Sequence, residues 1–285
     1  MFKNSQLQKI FDRQGYVVID FLDAREVENL LSLHRTHRNH LQGNFDASLM
    51  VADLEYRATV HREVESVFRG KINKLLTAIR PCACGFVVKK AMSPDSELQF
   101  HQDMSFVDER SQVSLGIWCP LVDVSQRNGC LRVVSGSHRL NSKPRAQVTP
   151  RPYKELFSSL DAKFITEVPM RAGQAFVQYQ QLFHGSASNV SSSERVAAYA
   201  VLVPKNAKLR FYYQDVINKP DKLEVFEVND RFYLTYVPGR FEIDDSSVTR
   251  YVPGTRPLGF KRLEVIDYAF EPLTKERLEL ELAPK

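Results

Sequence analysis

The segment Gln99-Phe100-His101-Gln102-Asp103 sets an imidazole and a carboxylate two positions apart. In a strand, residues i and i+2 share a face, so His101 and Asp103 would lie side by side. Such a pair is two members of a 2-His-1-carboxylate triad, which holds Fe(II) and leaves positions open for cosubstrate and dioxygen. His-x-Asp alone is a weak signal, and a surface strand pair is its plainer reading. Phe183-His184-Gly185-Ser186-Ala187-Ser188-Asn189 strengthens it by bringing a second histidine to a strand end. Arg195 then opens the apolar run 196–203. An arginine at the start of a buried strand is costly unless an anion pairs with it. Its planar fork suits a carboxylate held by two bonds. That carboxylate is either a ligand's or an Asp or Glu at a barrel rim.

The elements that must position these groups are short strands behind a helical start. Residues 5–14 carry Leu7, Ile10 and Phe11 at helical spacing, and Gly15 is placed to end that helix. Tyr16-Val17-Val18-Ile19-Asp20 reads as a strand. Asp23 can cap a helix that runs to His34, and a further helix is predicted over 63–79, broken at Arg80-Pro81. Strands are predicted at 86–88, 113–122 (with the only tryptophan, Trp118), 130–134, 164–168, 175–179 and 195–203. Asn128-Gly129 and Ser135-Gly136-Ser137 are turn signals. Residues 144–163 form a polar insert, partly helical at 153–160, and the tail adds aromatic strand patterns at 211–213 and 232–236. Closely spaced strands with Gly and Asn turns argue for a sandwich or closed roll. The fold class is therefore mainly β with flanking helices. One domain is expected over 1–285: helical support at 1–84, a core at 85–204 and a C-terminal extension at 205–285.

Composition narrows the function classes. The chain has 285 residues, 43% apolar and 26% charged, with a net charge of +5. Disordered, collagen-like and coiled-coil classes are excluded. No block of Lys and Arg supports nucleic-acid binding, although an anionic substrate is compatible with the balance. Cys82, Cys84, Cys119 and Cys130 read as reduced, buried thiols, since no second close pair completes a zinc site. The first residues lack the apolar core of a signal peptide, and no run approaches a membrane span. A cytoplasmic protein is the expectation.

Taken together, several motifs resemble the phytanoyl-CoA dioxygenase family of Fe(II)- and 2-oxoglutarate-dependent oxygenases. They are His101-Gln102-Asp103, Trp118, Asn128-Gly129-Cys130-Leu131, Ser135-Gly136-Ser137-His138-Arg139, and His184-Gly185-Ser186 with Asn189 and Arg195. Order and spacing agree from about residue 85 to 204, and Phe11 with Gly15-Tyr16-Val17-Val18-Ile19 is similar to the family's entry strand. The resemblance implies a double-stranded β-helix, or cupin-like jelly roll. It implies that His101, Asp103 and His184 are both catalytic and the iron ligands. Arg195 would take the distal carboxylate of 2-oxoglutarate, with Ser186 as a second donor, and Gln102 and Trp118 would line the cosubstrate pocket. Lys89 and Lys90 are the near candidates for a lysine that some members place there. His138 is expected to make a structural hydrogen bond, and His34, His37, His40 and His61 to lie on a solvated helical face. Halogenating relatives have a small residue where Asp103 stands, so halogenation is disfavoured.

The implied reaction is hydroxylation of a small molecule with release of succinate and CO2, using Fe(II), 2-oxoglutarate and dioxygen. Desaturation, cyclisation or epimerisation by the same cofactors is the alternative, and a non-catalytic cupin-like binder is the second. Segments 46–59, 144–163 and 211–236 are the expected walls and lid. Their Tyr, Phe, Arg and Lys suit a substrate with an apolar body and a carboxylate or phosphate.

Overall fold

A computed structural model describes residues 1–140, 143–146, 162–237, 240–243, 249–252, 254–268 and 273–282. Helix α1 (Ser5–Gln14) ends at Gly15 and leads into β1 (Tyr16–Asp20). Helix α2 (Ala24–His37) starts with a reciprocal capping box between Asp23 and Glu26. After β2 (Phe45–Ala47), Asp53 caps α3 (Leu54–Leu75). Val60, Val64, Phe68 and Ile72 recur every four residues along α3 and are fully buried.

The strands β3 (Ile79–Lys89), β4 (Leu98–His101), β5 (Leu115–Pro120), β6 (Leu131–Val133), β7 (Thr166–Val168), β8 (Gln174–Tyr179), β9 (His184–Ser186) and β10 (Arg195–Pro204) complete the central fold. They form a six-stranded sheet of order β1-β8-β5-β10-β3-β2 and a four-stranded sheet of order β4-β9-β6-β7. Every pairing is antiparallel. These sheets are the jelly roll that the resemblance implies.

Strand alternation sorts the two faces of the larger sheet. Val196, Ala198 and Leu202 of β10 and Cys84, Phe86 and Val88 of β3 join the core beneath the helices. Arg195, Tyr199 and Val201, with Ala83 and Val87, face a cavity that residues of the smaller sheet also line. The period of two thus turns a buried-strand arginine toward the site rather than into the helical layer.

Two expectations on the fold need correction. Helix α3 spans Leu54–Leu75, not 63–79, and Pro81 lies inside β3 rather than ending a helix. The β3–β10 register shifts between Val201 and Leu202, opposite this proline, and such an irregularity absorbs the missing N–H. The aromatic run 232–236 is not a strand. It forms most of a short helix, α4 (Asp230–Thr235), capped by the Asn229 side chain. Phe232, Tyr233 and Tyr236 all turn inward from it. Asn128-Gly129 is a turn as expected, formed by a 3-10 turn at Gln126–Asn128 with Gly129 at positive φ, and the strands it joins, β5 and β6, belong to different sheets.

In the tail, β11 (Leu209–Tyr213) and β12 (Lys222–Val228) pair with β15 (Lys261–Asp267), while β13 (Arg240–Ile243) pairs with β14 (Thr249–Val252). Helix α5 (Lys275–Leu282) follows. Most of the predicted insert, including its helical stretch 153–160, lies outside the described residues. Among the described residues no helix is long and apolar enough to cross a membrane.

Candidate metal centre and cosubstrate pocket

His101 ends β4, His184 opens β9, and the two are direct cross-strand partners. Their ring centroids are 4.4 Å apart. Asp103 arrives differently from the sequence expectation. It lies beyond the end of β4, and its backbone N–H donates to the Gln180 carbonyl at 2.9 Å. Its carboxylate oxygens stand 3.5 Å from His101 Nε2 and 3.9 Å from His184 Nε2. One ligand atom from each of the three residues lies within 4.8 Å of the others, the one such group among the described residues.

The histidine tautomers follow from their partners. His101 Nδ1 lies 2.9 Å from the Gln99 carbonyl and His184 Nδ1 lies 3.0 Å from the Leu182 carbonyl. A carbonyl only accepts, so each Nδ1 carries the proton and each Nε2 turns a lone pair to the site. Burial pulls the His184 pKa down to about 4. Burial also opposes charge on Asp103, but the adjacent His184 and His101 hold its carboxyl below the usual range. Neutral imidazole and ionised carboxylate are the states a metal requires. Gln178, which sequence reasoning missed, reaches Asp103 Oδ2 at 3.1 Å through Nε2. Its only signal was its position on β8, two residues from the cavity-facing Phe176.

Arg195 is 1% exposed. Its Nη1 donates to the Gly129 carbonyl at 3.0 Å, and Nε has no hydrogen-bond partner among the described residues. No described carboxylate bonds it, which removes the barrel-rim ion pair as the explanation of this arginine. The guanidinium lies 5.3 Å from the Trp118 ring centroid, a favourable cation–π arrangement. Burial lowers its pKa to about 9, which leaves it charged at neutral pH. The Ser186 hydroxyl is also buried without a partner among the described residues. Two orphaned donors in one cavity fit an incoming carboxylate.

Two glycines let these donors come close. A Cβ on Gly129, whose φ is +81°, would lie 2.3 Å from the Ala187 carbonyl oxygen. One on Gly185 would lie 2.7 Å from the Leu98 carbonyl oxygen, between the strands that carry His101 and His184.

The two lysine candidates separate cleanly. Lys90 pairs with Glu194 at 3.0 Å. Lys89 is fully buried opposite Arg195 in the β3–β10 register and donates to the Ser186 and Ala187 carbonyls. Burial, with Arg195 nearby, lowers the Lys89 pKa to about 6. Gln102 donates through Nε2 to the Gln181 carbonyl. His101, Gln102, Asp103, Trp118, His184, Ser186 and Arg195 all line a single cavity of about 620 Å³. Leu49, Met50, Phe106, Tyr199, Tyr233 and Tyr236 line the same cavity. Buried Arg57, also missed from sequence, ties these walls together by donating to the Val51 and Tyr236 carbonyls.

His138 is structural as expected, with Nε2 3.2 Å from the Asp12 carbonyl and its ring stacked on Tyr179. His34 is not on a solvated face. It is 3% exposed and bonds Glu194 at 2.8 Å. The four cysteines are free and buried. The His34 bond, then Lys90, hold the Glu194 pKa at about 2, against an ordinary 4.5. A depressed carboxylate pKa stabilises the fold above the unfolded-state value, and that stabilisation is lost as pH falls through the folded value. Glu194→Gln should therefore cost about 1–2 kcal/mol near neutral pH. The difference should shrink between about pH 4.5 and 2. Denaturant titrations at several pH values check this; a difference independent of pH would contradict it.

The sequence model of the family described as phytanoyl-CoA dioxygenase (PhyH) matches residues 11–197. The chain belongs to the phytanoyl-CoA dioxygenase family. Among curated relatives, phytanoyl-CoA dioxygenase domain-containing protein 1 of Danio rerio is 30% identical over 106 residues, 35% of this chain and 36% of that protein. The phytanoyl-CoA dioxygenase of Arabidopsis thaliana is 33% identical over 100 residues, 34% of this chain and 35% of that protein. The match thus spans about a third of each curated relative. Among solved structures, HygX from Streptomyces hygroscopicus, with nickel and 2-oxoglutarate bound, is 17% identical with a TM-score of 0.52. It covers 71% of this chain and 88% of its own. The 2-oxoglutarate-dependent carbocyclase SnoK from nogalamycin biosynthesis is 21% identical with a TM-score of 0.53, covering 72% and 86%. Both support the family fold.

Proposed function

We propose that this family member is an Fe(II)- and 2-oxoglutarate-dependent dioxygenase that hydroxylates an unactivated C–H bond of a small molecule. The observation that carries this reading is one cavity holding both a donor set of two histidines and one aspartate and a buried arginine that bonds no described carboxylate. The residues fit both groups. His101, Asp103 and His184 would hold the iron, and Arg195 with the Ser186 hydroxyl would hold the distal carboxylate of 2-oxoglutarate. When bound, the metal and cosubstrate supply oxidative decarboxylation to succinate coupled to oxidation of the substrate.

The chain's own contribution is binding and orientation. The Gln99 and Leu182 carbonyls fix the imidazoles, and Gln178 donates to Asp103. Trp118 packs over the guanidinium and shields it from water, which strengthens its pull on an anion. The apolar and phenolic wall from Leu49 to Tyr236 suits a substrate with an apolar body. A cytoplasmic setting, where buried thiols stay reduced, suits the four free cysteines.

The test is succinate formation from 2-oxoglutarate with Fe(II) in air, screened for stimulation across amino acids, acyl thioesters and secondary metabolites. An inert protein would favour the non-catalytic reading. Asp103 fills the position that a halide would need, so chloride or bromide should leave the product unchanged. Hydroxylation adds about 16 Da, whereas desaturation or ring closure removes about 2. A native product without added oxygen would overturn hydroxylation and leave the cofactor assignment intact.

A further inference from the structure

Behind the metal ligands lies an ion pair that the proposed chemistry does not use. Arg145 and Glu109 have side chains only 4% and 3% exposed. They bond in parallel, Nη1 to Oε2 at 2.8 Å and Nη2 to Oε1 at 2.7 Å. The remaining guanidinium donor, Nε, reaches the backbone carbonyl of Asp103 at 2.7 Å. Arg145 is itself anchored, since its N–H donates to Ser105 Oγ and its carbonyl accepts from the Ser105 N–H.

The contacts continue into a ring. Glu109 Oε2 also accepts from Gln181 Nε2 at 3.3 Å, and the Gln181 carbonyl accepts from Gln102 Nε2. Gln102 precedes Asp103, which closes the circuit. One part of this ring carries Asp103; the other is the turn leading from β8 to His184. Asp103 is outside any strand, so the β4–β9 ladder does not set its place. Gln180 holds its N–H and Arg145 holds its carbonyl.

A fully buried charge pair is weak evidence for stability, because desolvation opposes the Coulomb gain. A pair in which every guanidinium nitrogen donates, one of them to a metal-ligand peptide, is better explained by orientation. Resting on the metal-centre reading above, the structure assigns Arg145, braced by Glu109, as the positioning residue that aims the Asp103 carboxylate between His101 and His184.

The test measures Fe(II) affinity anaerobically in the full chain, with the visible spectrum of the Co(II)-substituted protein as a report of ligand geometry. Arg145→Ala should weaken Fe(II) binding about 10–100-fold and alter the Co(II) bands. Arg145→Lys, which offers one point donor rather than a fork, should restore part of the affinity. Glu109→Gln, which leaves the guanidinium uncompensated, should weaken binding several-fold. If Arg145→Ala does not fold, the Lys and Gln variants carry the same test. Val64→Ala, in the core of α3, controls for stability: it should lower the melting temperature without moving the Fe(II) affinity.

Unchanged affinity and Co(II) spectra in the folded Arg145 and Glu109 variants, beside tight binding by wild type, would overturn this assignment alone. An equal loss of affinity in Val64→Ala would also overturn it. Wild-type protein that takes up no Fe(II) would overturn both the assignment and the function on which it rests.

Discussion

His184→Ala protein should retain its fold and lose stoichiometric Fe(II) binding, and with it 2-oxoglutarate turnover. In the proposed site the side chain would supply one of three donors, from a β9 position paired directly with His101. Its Nδ1 is committed to the Leu182 carbonyl, so Nε2 is the atom that faces the site. No other described His, Cys, Asp or Glu completes a second group of three. Gln178 Nε2 lies 3.3 Å from His184 Nε2, but an amide nitrogen offers no lone pair to a cation. Removing one of three ligands should therefore leave two that bind Fe(II) only weakly. Because His184 is buried and neutral at physiological pH, truncation leaves a small polar void rather than an unpaired charge. Thermal stability of the apo-protein should fall by about 1–2 kcal/mol at most. His101→Ala should behave alike. Metal analysis after gel filtration, alongside circular dichroism, checks both. Stoichiometric iron in both folded variants would show that the triad is misassigned.

Arg195→Ala should raise the KM for 2-oxoglutarate by about two orders of magnitude or more, while Ser186→Ala should raise it about 2–10-fold. The asymmetry follows from charge and burial. Removing one partner of a buried charged pair costs about 3–5 kcal/mol, and each 1.4 kcal/mol is about tenfold. A neutral hydrogen bond contributes about 0.5–1.5 kcal/mol. Arg195 is already desolvated, with one terminal nitrogen held by Gly129 and Nε waiting, so its cost of burial falls on the apo-protein rather than on binding. Lys89 stands opposite Arg195 in the β3–β10 register, but burial lowers its pKa to about 6 and its Nζ is engaged by the Ser186 and Ala187 carbonyls, so it offers little charge to a carboxylate at neutral pH. Steady-state kinetics with varied 2-oxoglutarate decide the point. Equal effects of the two substitutions, or none for Arg195→Ala, would assign the carboxylate to another donor.

The sequence made the chemistry legible before the geometry. His101, His184 and Arg195 are readable because each is a polar residue set against apolar strand patterns, and their strands carry them to a common cavity. The route of Asp103 was not readable. The i, i+2 rule describes a strand, whereas a loop tied by Gln180 and Arg145 places this carboxylate. Gln178 had only its strand position as a signal, and Arg57 had none for its bond to the Tyr236 carbonyl, because Asp103 and Tyr236 lie on distant segments. His34 was misread because helical spacing reports a face of α2 but not what packs on it; Glu194, far along the chain, covers it. The aromatic run at 232–236 satisfies strand composition and helix spacing equally, and the Asn229 cap decides for helix. Pro81 was read as a helix breaker, although the irregularity in the adjoining ladder admits it to a strand.

The most direct measurement is anaerobic titration of the Fe(II)-loaded full chain with 2-oxoglutarate, followed by visible absorption. Chelation of Fe(II) by a 2-oxo acid produces a charge-transfer band that neither component shows alone. The band should saturate at one 2-oxoglutarate per chain, be absent in His184→Ala, and require far more 2-oxoglutarate in Arg195→Ala. Fe(II) bound at one per chain with no band at saturating 2-oxoglutarate, or a band undiminished in His184→Ala, would contradict the metal and cosubstrate assignments.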